Sequence, residues 1–108
     1  MPLTVEQLME KMPGAFLPEK AGNLDAAIQF KFTGSEAGDW NAVIKDGKVA
    51  VERGTHPSPK MTLTADSQDY VRIFTGELDG MSAFMQGKIK LAGDLNLAMK
   101  LMGMFKIK

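Results

Sequence analysis

The chain has 108 residues, enough for a single domain, 1–108, around one hydrophobic core, and its 44% apolar and 24% charged content is that of an ordinary globular protein. Thirteen basic residues balance thirteen acidic ones, so the phosphate neutralisation that drives nucleic-acid binding has no source in net charge. Cysteine is absent, which excludes disulfides, thiolate nucleophiles and cysteine-based metal sites.

The N-terminus shows no secretory pattern, and no run approaches the ~20 apolar residues of a membrane span. The ending Lys106-Ile107-Lys108 is not a Ser-Lys-Leu-type address, so the expected compartment is the cytoplasm.

Thr4 and Gln7 have the spacing of a capping box, and Val5, Leu8, Met9 and Met12 follow at helical spacing until Pro13, which is expected to stop the helix. Leu24–Thr33 alternates as a strand, with Ile28, Phe30 and Phe32 on one side and Gln29, Lys31 and Thr33 on the other. Trp40–Lys45 alternates in the same way. Asp46-Gly47 predicts a two-residue hairpin turn that pairs Ile44 with Val49 and Ala42 with Val51. Gly54–Pro59 reads as a loop, and Lys60–Ala65 as a strand with Met61, Leu63 and Ala65 inward.

Asp66 is the expected N-cap of a helix to about Thr75 carrying Tyr70, Val71 and Phe74, with Leu78 continuing the stripe, and Asp79 caps a second short helix that Gly87 ends. Lys88–Leu91 is the last strand, and Gly93-Asp94 opens a C-terminal helix. This order gives an α+β fold, a largely antiparallel sheet with helices over one face.

The C-terminal helix is apolar over most of its circumference, from Leu95 through Leu97, Ala98, Met99, Leu101, Met102, Met104 and Phe105. A domain this small cannot bury one helix on all sides, so part of that surface is expected to meet a ligand, a partner chain or a membrane. Nine methionines, five of them from Met81 onward, fit either core filling or an adaptable binding surface. From Gln86 onward five lysines (Lys88, Lys90, Lys100, Lys106, Lys108) face one acid, Asp94, which suits either a solvated face or transient contact with an anionic membrane.

Catalytic chemistry is thin. His56 is the only histidine and has no acid pair or cysteine near it; Asp66, Asp69, Glu77 and Asp79 read as helix caps and first-turn acids. No metal, cofactor or enzymatic activity is expected.

The stretch Ser82-Ala83-Phe84-Met85-Gln86-Gly87-Lys88-Ile89-Lys90-Leu91-Ala92-Gly93-Asp94, followed by Leu97-Ala98-Met99-Lys100-Leu101, closely resembles the signature of the sterol-carrier-protein-2 domain. Phe30-x-Phe-x-Gly34, Trp40, Asp46-Gly47, Pro59 to Leu63, Asp66 and Phe74-Thr75-Gly76 fit the same family in order, so the resemblance spans nearly the whole chain. It implies a five-stranded mixed sheet whose helices enclose a hydrophobic tunnel for a fatty acid, acyl-CoA, sterol or similar lipid.

Carried over residue by residue, Phe84, Met85 and Gln86 border the tunnel, and Leu97, Leu101, Met102 and Phe105 lie on the helix that closes it. Phe74, Met81 and Ile89 complete the candidate ligand-binding set. Gln86 is the one polar group in it, able to bond a ligand head or local backbone. The alternative is a non-catalytic interaction module that dimerises through its apolar C-terminal helix, so a monomer or a weak homodimer is expected.

Overall fold

The computed structural model describes residues 4–105, with the side chains of 98, 99, 101 and 102 outside the description. Helix α1 (Val5–Ala15) and the one-turn α2 (Pro18–Ala21) precede strand β1 (Ala26–Thr33). A 3-10 turn, Gly34–Glu36, leads into β2 (Gly38–Lys45), β3 (Lys48–Arg53) and β4 (Met61–Asp66). Helices α3 (Ser67–Phe74) and α4 (Gly80–Met85), strand β5 (Ile89–Gly93) and helix α5 (Leu95–Met104) complete the chain.

The strand order is β3-β2-β1-β4-β5, antiparallel except between β1 and β4, which run parallel. The sheet is therefore mixed and five-stranded, as expected. Asp46 and Gly47 both take positive φ, 55° and 73°, and the hairpin register pairs Ala42 with Val51 and Ile44 with Val49 as the turn chemistry dictates.

Register brings one face of every strand into line. Ile28, Phe30 and Phe32 of β1 lie between Ala42 and Trp40 of β2 and Met61, Leu63 and Ala65 of β4, and all of these are buried under the helices. Burying each large side chain contributes about 1.5–3 kcal/mol, so this row dominates the stability of the sheet.

The helices dock by their caps. Thr4 Oγ1 accepts from the Gln7 N–H at 3.0 Å while Gln7 Oε1 accepts from the Thr4 N–H at 3.1 Å, which completes the capping box. The Glu36 carboxylate accepts the Val5 N–H at 3.0 and 3.1 Å, and the Glu36 N–H donates to Ser67 Oγ at 3.2 Å. One 3-10 turn thus ties the start of α1 to the start of α3. Gly93 has φ +95°, and a Cβ there would lie 2.5 Å from the Lys60 carbonyl oxygen. Only glycine lets β5 turn into α5 against the start of β4.

Two expectations need correction. Pro13 does not end α1, which runs on to Ala15. In the last turn Pro13 forgoes only its own N–H bond to the preceding turn, and its carbonyl accepts the Phe16 N–H at 3.4 Å.

Gln29 does not face solvent; it is 1% exposed. The 54–60 loop must carry the chain from the β3 edge across β2 and β1 to β4, and it passes over the helix-free face where Gln29 points. Gln29 Nε2 donates to the Trp40 carbonyl at 2.9 Å and the Gly54 carbonyl at 3.2 Å, and Gln29 Oε1 accepts the His56 N–H at 2.7 Å. Asn41 Nδ2 donates to Gly54 as well, at 3.2 Å. The histidine ring is engaged within the loop itself, where its Nδ1 accepts the Ser58 N–H at 3.0 Å.

Replacing Gln29 with Ala strands buried backbone groups of the crossing loop, which should lower stability by about 2–4 kcal/mol in urea unfolding. Hydrogen exchange at His56 and Lys60 should accelerate beyond that global loss; unchanged protection there would show that the loop holds itself.

Candidate functional site

The candidate residues lie on the stretch from α3 to α5, where three aspartates set the helix starts. Asp66 accepts from the Gln68 N–H at 2.9 Å and Asp79 from the Ser82 N–H at 2.9 Å. Asp94 Oδ1 accepts the Asn96 and Leu97 N–H groups at 3.0 and 3.1 Å. The caps fix where each helix begins.

In α3 the inward face carries Tyr70, Val71 and Ile73, with Phe74 half-buried at the end. In α5 Leu97 and Met104 are buried, Phe105 just beyond the helix is buried too, and Leu95 is left 54% exposed. Ile89 is buried on β5.

Helix α4 is turned the other way. Its small residues Gly80 and Ala83 face the core, while Met81, Phe84 and Met85, at spacing i, i+3, i+4, form an apolar stripe that is 49%, 41% and 78% exposed. Gln86 follows, exposed, at the helix end. Small residues let the α4 backbone sit close beside β5, and the large ones are excluded from that contact. The side chains of Leu101 and Met102 lie outside the described residues.

Phe74 and Phe105 belong to a continuous file of rings. It runs Phe16, Phe105, Phe74, Tyr70, Phe32, with centroids 5.5, 6.0, 5.2 and 4.8 Å apart, and Phe30 packs on Tyr70 at 5.6 Å. These are the separations at which tilted aromatic pairs attract. Phe16 was invisible as a site residue, because Pro13-Gly14 just before it reads as loop. It reaches the file through a seam in which Phe16 bridges Phe105 and the Leu17 N–H donates to the Met104 carbonyl at 2.7 Å.

Inside the file the Tyr70 hydroxyl donates to Met12 Sδ at 3.6 Å, a weak acceptor for a fully enclosed group. Burial pushes the phenol far above its ordinary range.

Sheet, caps and aromatic wedge together define a small α+β fold with an apolar interior between a mixed sheet and its C-terminal helices. The SCP-2 sterol transfer family model matches residues 5–106, and the chain belongs to that family. It is 43% identical over 75 residues to hydroxysteroid dehydrogenase-like protein 2 of Xenopus tropicalis, covering 68% of this chain and 18% of that protein. It is 31% identical over 97 residues to human sterol carrier protein 2, covering 90% and 18%. The chain therefore spans about a fifth of the length of these curated relatives. The solution structure of palmitated SCP2L2 from Aedes aegypti superposes with a TM-score of 0.75 at 29% identity, over 94% of this chain and 93% of that one. Among the described residues no helix is long and apolar enough to cross a membrane.

Tyr70 is the only tyrosine, so tyrosinate absorbance reports this one group. The unfolded chain releases the phenol proton near pH ~10 and the folded one does not, so stability intact below that pH should fall as pH rises above it. Tyr70→Phe should leave stability at neutral pH within about 1 kcal/mol and flatten this alkaline decline. Titration of the folded protein at an ordinary phenol pKa would show the hydroxyl to be solvated.

Proposed function

We propose that this chain binds one lipid molecule, a fatty acid, acyl-CoA or sterol-like compound, between the apolar face of the sheet and the α3–α5 segment, and carries or presents it without catalysing a reaction. One observation carries the reading: α4 and α5 gather more apolar surface than the core absorbs. Met81, Phe84, Met85 and Leu95 remain exposed, while Leu97 and Phe105 are buried and Phe74 is half-buried. Isolated exposed apolar residues are common, but a helix that presents its large residues to water and its small ones to the core is an inversion that a ligand or membrane relieves. Family membership and the palmitated neighbour support the same class of ligand.

In this arrangement Phe74, Ile89, Leu97 and Phe105 line the site, and Met81, Phe84, Met85 and Gln86 form its rim. The exposed lysines Lys88 and Lys90, directly after α4 in the chain, place positive charge near that rim, which suits loading from an anionic leaflet at about 1 kcal/mol per engaged lysine.

A fluorescent long-chain fatty acid should bind saturably at one site per chain with Kd near ~1 μM. Phe84→Asp should weaken it at least tenfold while circular dichroism stays native, because the side chain already reaches water. Phe105→Asp, by contrast, buries an unpaired charge and should unfold the domain. Absence of saturable binding to the wild type, together with a dimer in native mass spectrometry, would favour an interaction module instead.

Transfer between vesicles should quicken with phosphatidylserine content and slow with salt, over a Debye length of ~10 Å at 0.1 M. Rates indifferent to both would remove the lysines from the loading step.

A further inference from the structure

On the outer side of the seam, between α2 and the C-terminal half of α5, lies a pocket of about 280 Å³ lined by Lys20, Ala21, Leu24, Lys100, Gly103 and Met104. Leu24 is half-buried and packs on the core, Met104 is buried, and Ala21 adds another apolar group. Against these stand two charges of one sign, contributed by two different helices. Lys20 lies in the last turn of α2 and Lys100 in α5; both are exposed, and among the described residues neither has a carboxylate within ion-pair distance. Two lysines lining one small concavity bring like charge to it, which an anion bound there would offset.

Gly103 adds an independent observation. It sits in the last turn of α5 with an ordinary helical φ, and a Cβ there would meet no atom within 4 Å. Neither backbone geometry nor a crowding neighbour calls for glycine, which is among the least favourable residues in a helix. What its missing side chain preserves is the open volume of the pocket.

Met104 connects the pocket to the interior. Its carbonyl forms the seam hydrogen bond with Leu17, and the next residue, Phe105, begins the aromatic file. A pocket of this size lies just below the ~300–1,000 Å³ of complete small-molecule sites, so it suits a head group and the first methylenes of a chain.

We propose that this pocket is an anion subsite: Lys20 and Lys100 hold the carboxylate of a long-chain fatty acid, and Leu24 and Met104 carry the first part of its chain. The inference rests on the lipid-binding reading and deepens it, because a neutral sterol or alcohol gains nothing from the two lysines. Selectivity for the acid over its uncharged analogue is then a property of α2 and α5, away from the α4 rim.

The test measures palmitate and hexadecanol by displacement of a fluorescent fatty alcohol, at low and physiological salt, for wild type and for the Lys20→Gln/Lys100→Gln double variant. Both lysines are exposed, so the variant keeps its fold. Palmitate affinity should drop about tenfold or more in the double variant and lose its salt dependence, while hexadecanol is unchanged. Gly103→Leu, which fills the pocket, should weaken palmitate to a similar degree. Palmitate binding that neither change affects overturns the subsite and leaves lipid binding standing. An equal loss of acid and alcohol in the double variant also overturns it, since charge recognition is then absent. A wild type that binds neither compound overturns both readings.

Discussion

β1 stands at the centre of the sheet and answers to a different demand on each face. Towards the helices it presents Ile28, Phe30 and Phe32, which form the middle of the core. Towards the other side it presents Gln29, over which the 54–60 loop must pass to bring β4 alongside in parallel. A loop crossing a sheet brings unpaired backbone groups with it, and these need partners wherever water is excluded. One glutamine amide, donor and acceptor at once, supplies them for Gly54 and His56. With the back of the sheet occupied by that loop, the helices are gathered on the front.

The front is built from two unlike surfaces. The ring file from Phe16 to Phe32 is packed and dry, with a tyrosine hydroxyl enclosed against a thioether. Helix α4 leaves its large apolar side chains partly or mostly in water: Met85 is 78% exposed while Ala83 is fully buried. A side chain of that kind contributes about 1.5–3 kcal/mol when buried, so several kcal/mol of association energy stay available at this edge. Under the proposed lipid-binding reading, this is the surface that an apolar cargo or a bilayer covers.

The two ends of α5 have different chemistry. Its start is anchored by the Asp94 cap beside exposed Leu95. Its finish is stitched to the α1–α2 connection by one backbone hydrogen bond and one ring pair, with Lys100 facing the same pocket as Lys20. Under the proposed reading, exposed apolar surface at the start of α5 and the charge of Lys100 in its second half serve the two halves of an amphiphile.

What the sequence determines by itself is whatever depends on near neighbours in the chain. The Thr4–Gln7 capping box, the Asp46-Gly47 hairpin with its register, and the aspartate caps of α3, α4 and α5 each act over two to five residues, and all were legible. The strand alternation that set the inner row was legible too, because side chains on a strand point to opposite faces by geometry alone. The candidate site was only partly legible: Phe74, Ile89, Leu97 and Phe105 turned inward, but the outward rotation of Met81, Phe84 and Met85 was not visible, since their spacing describes a stripe without saying which way it points. Tertiary structure alone decided that direction, by setting Gly80 and Ala83 against the domain. It also decided that Gln29 is buried, that Phe16 meets Phe105, and that Lys20 and Lys100, far apart in the chain, share one pocket. Each of these depends on which distant segment arrives opposite, and only the closed sheet with its helices in place supplies that partner.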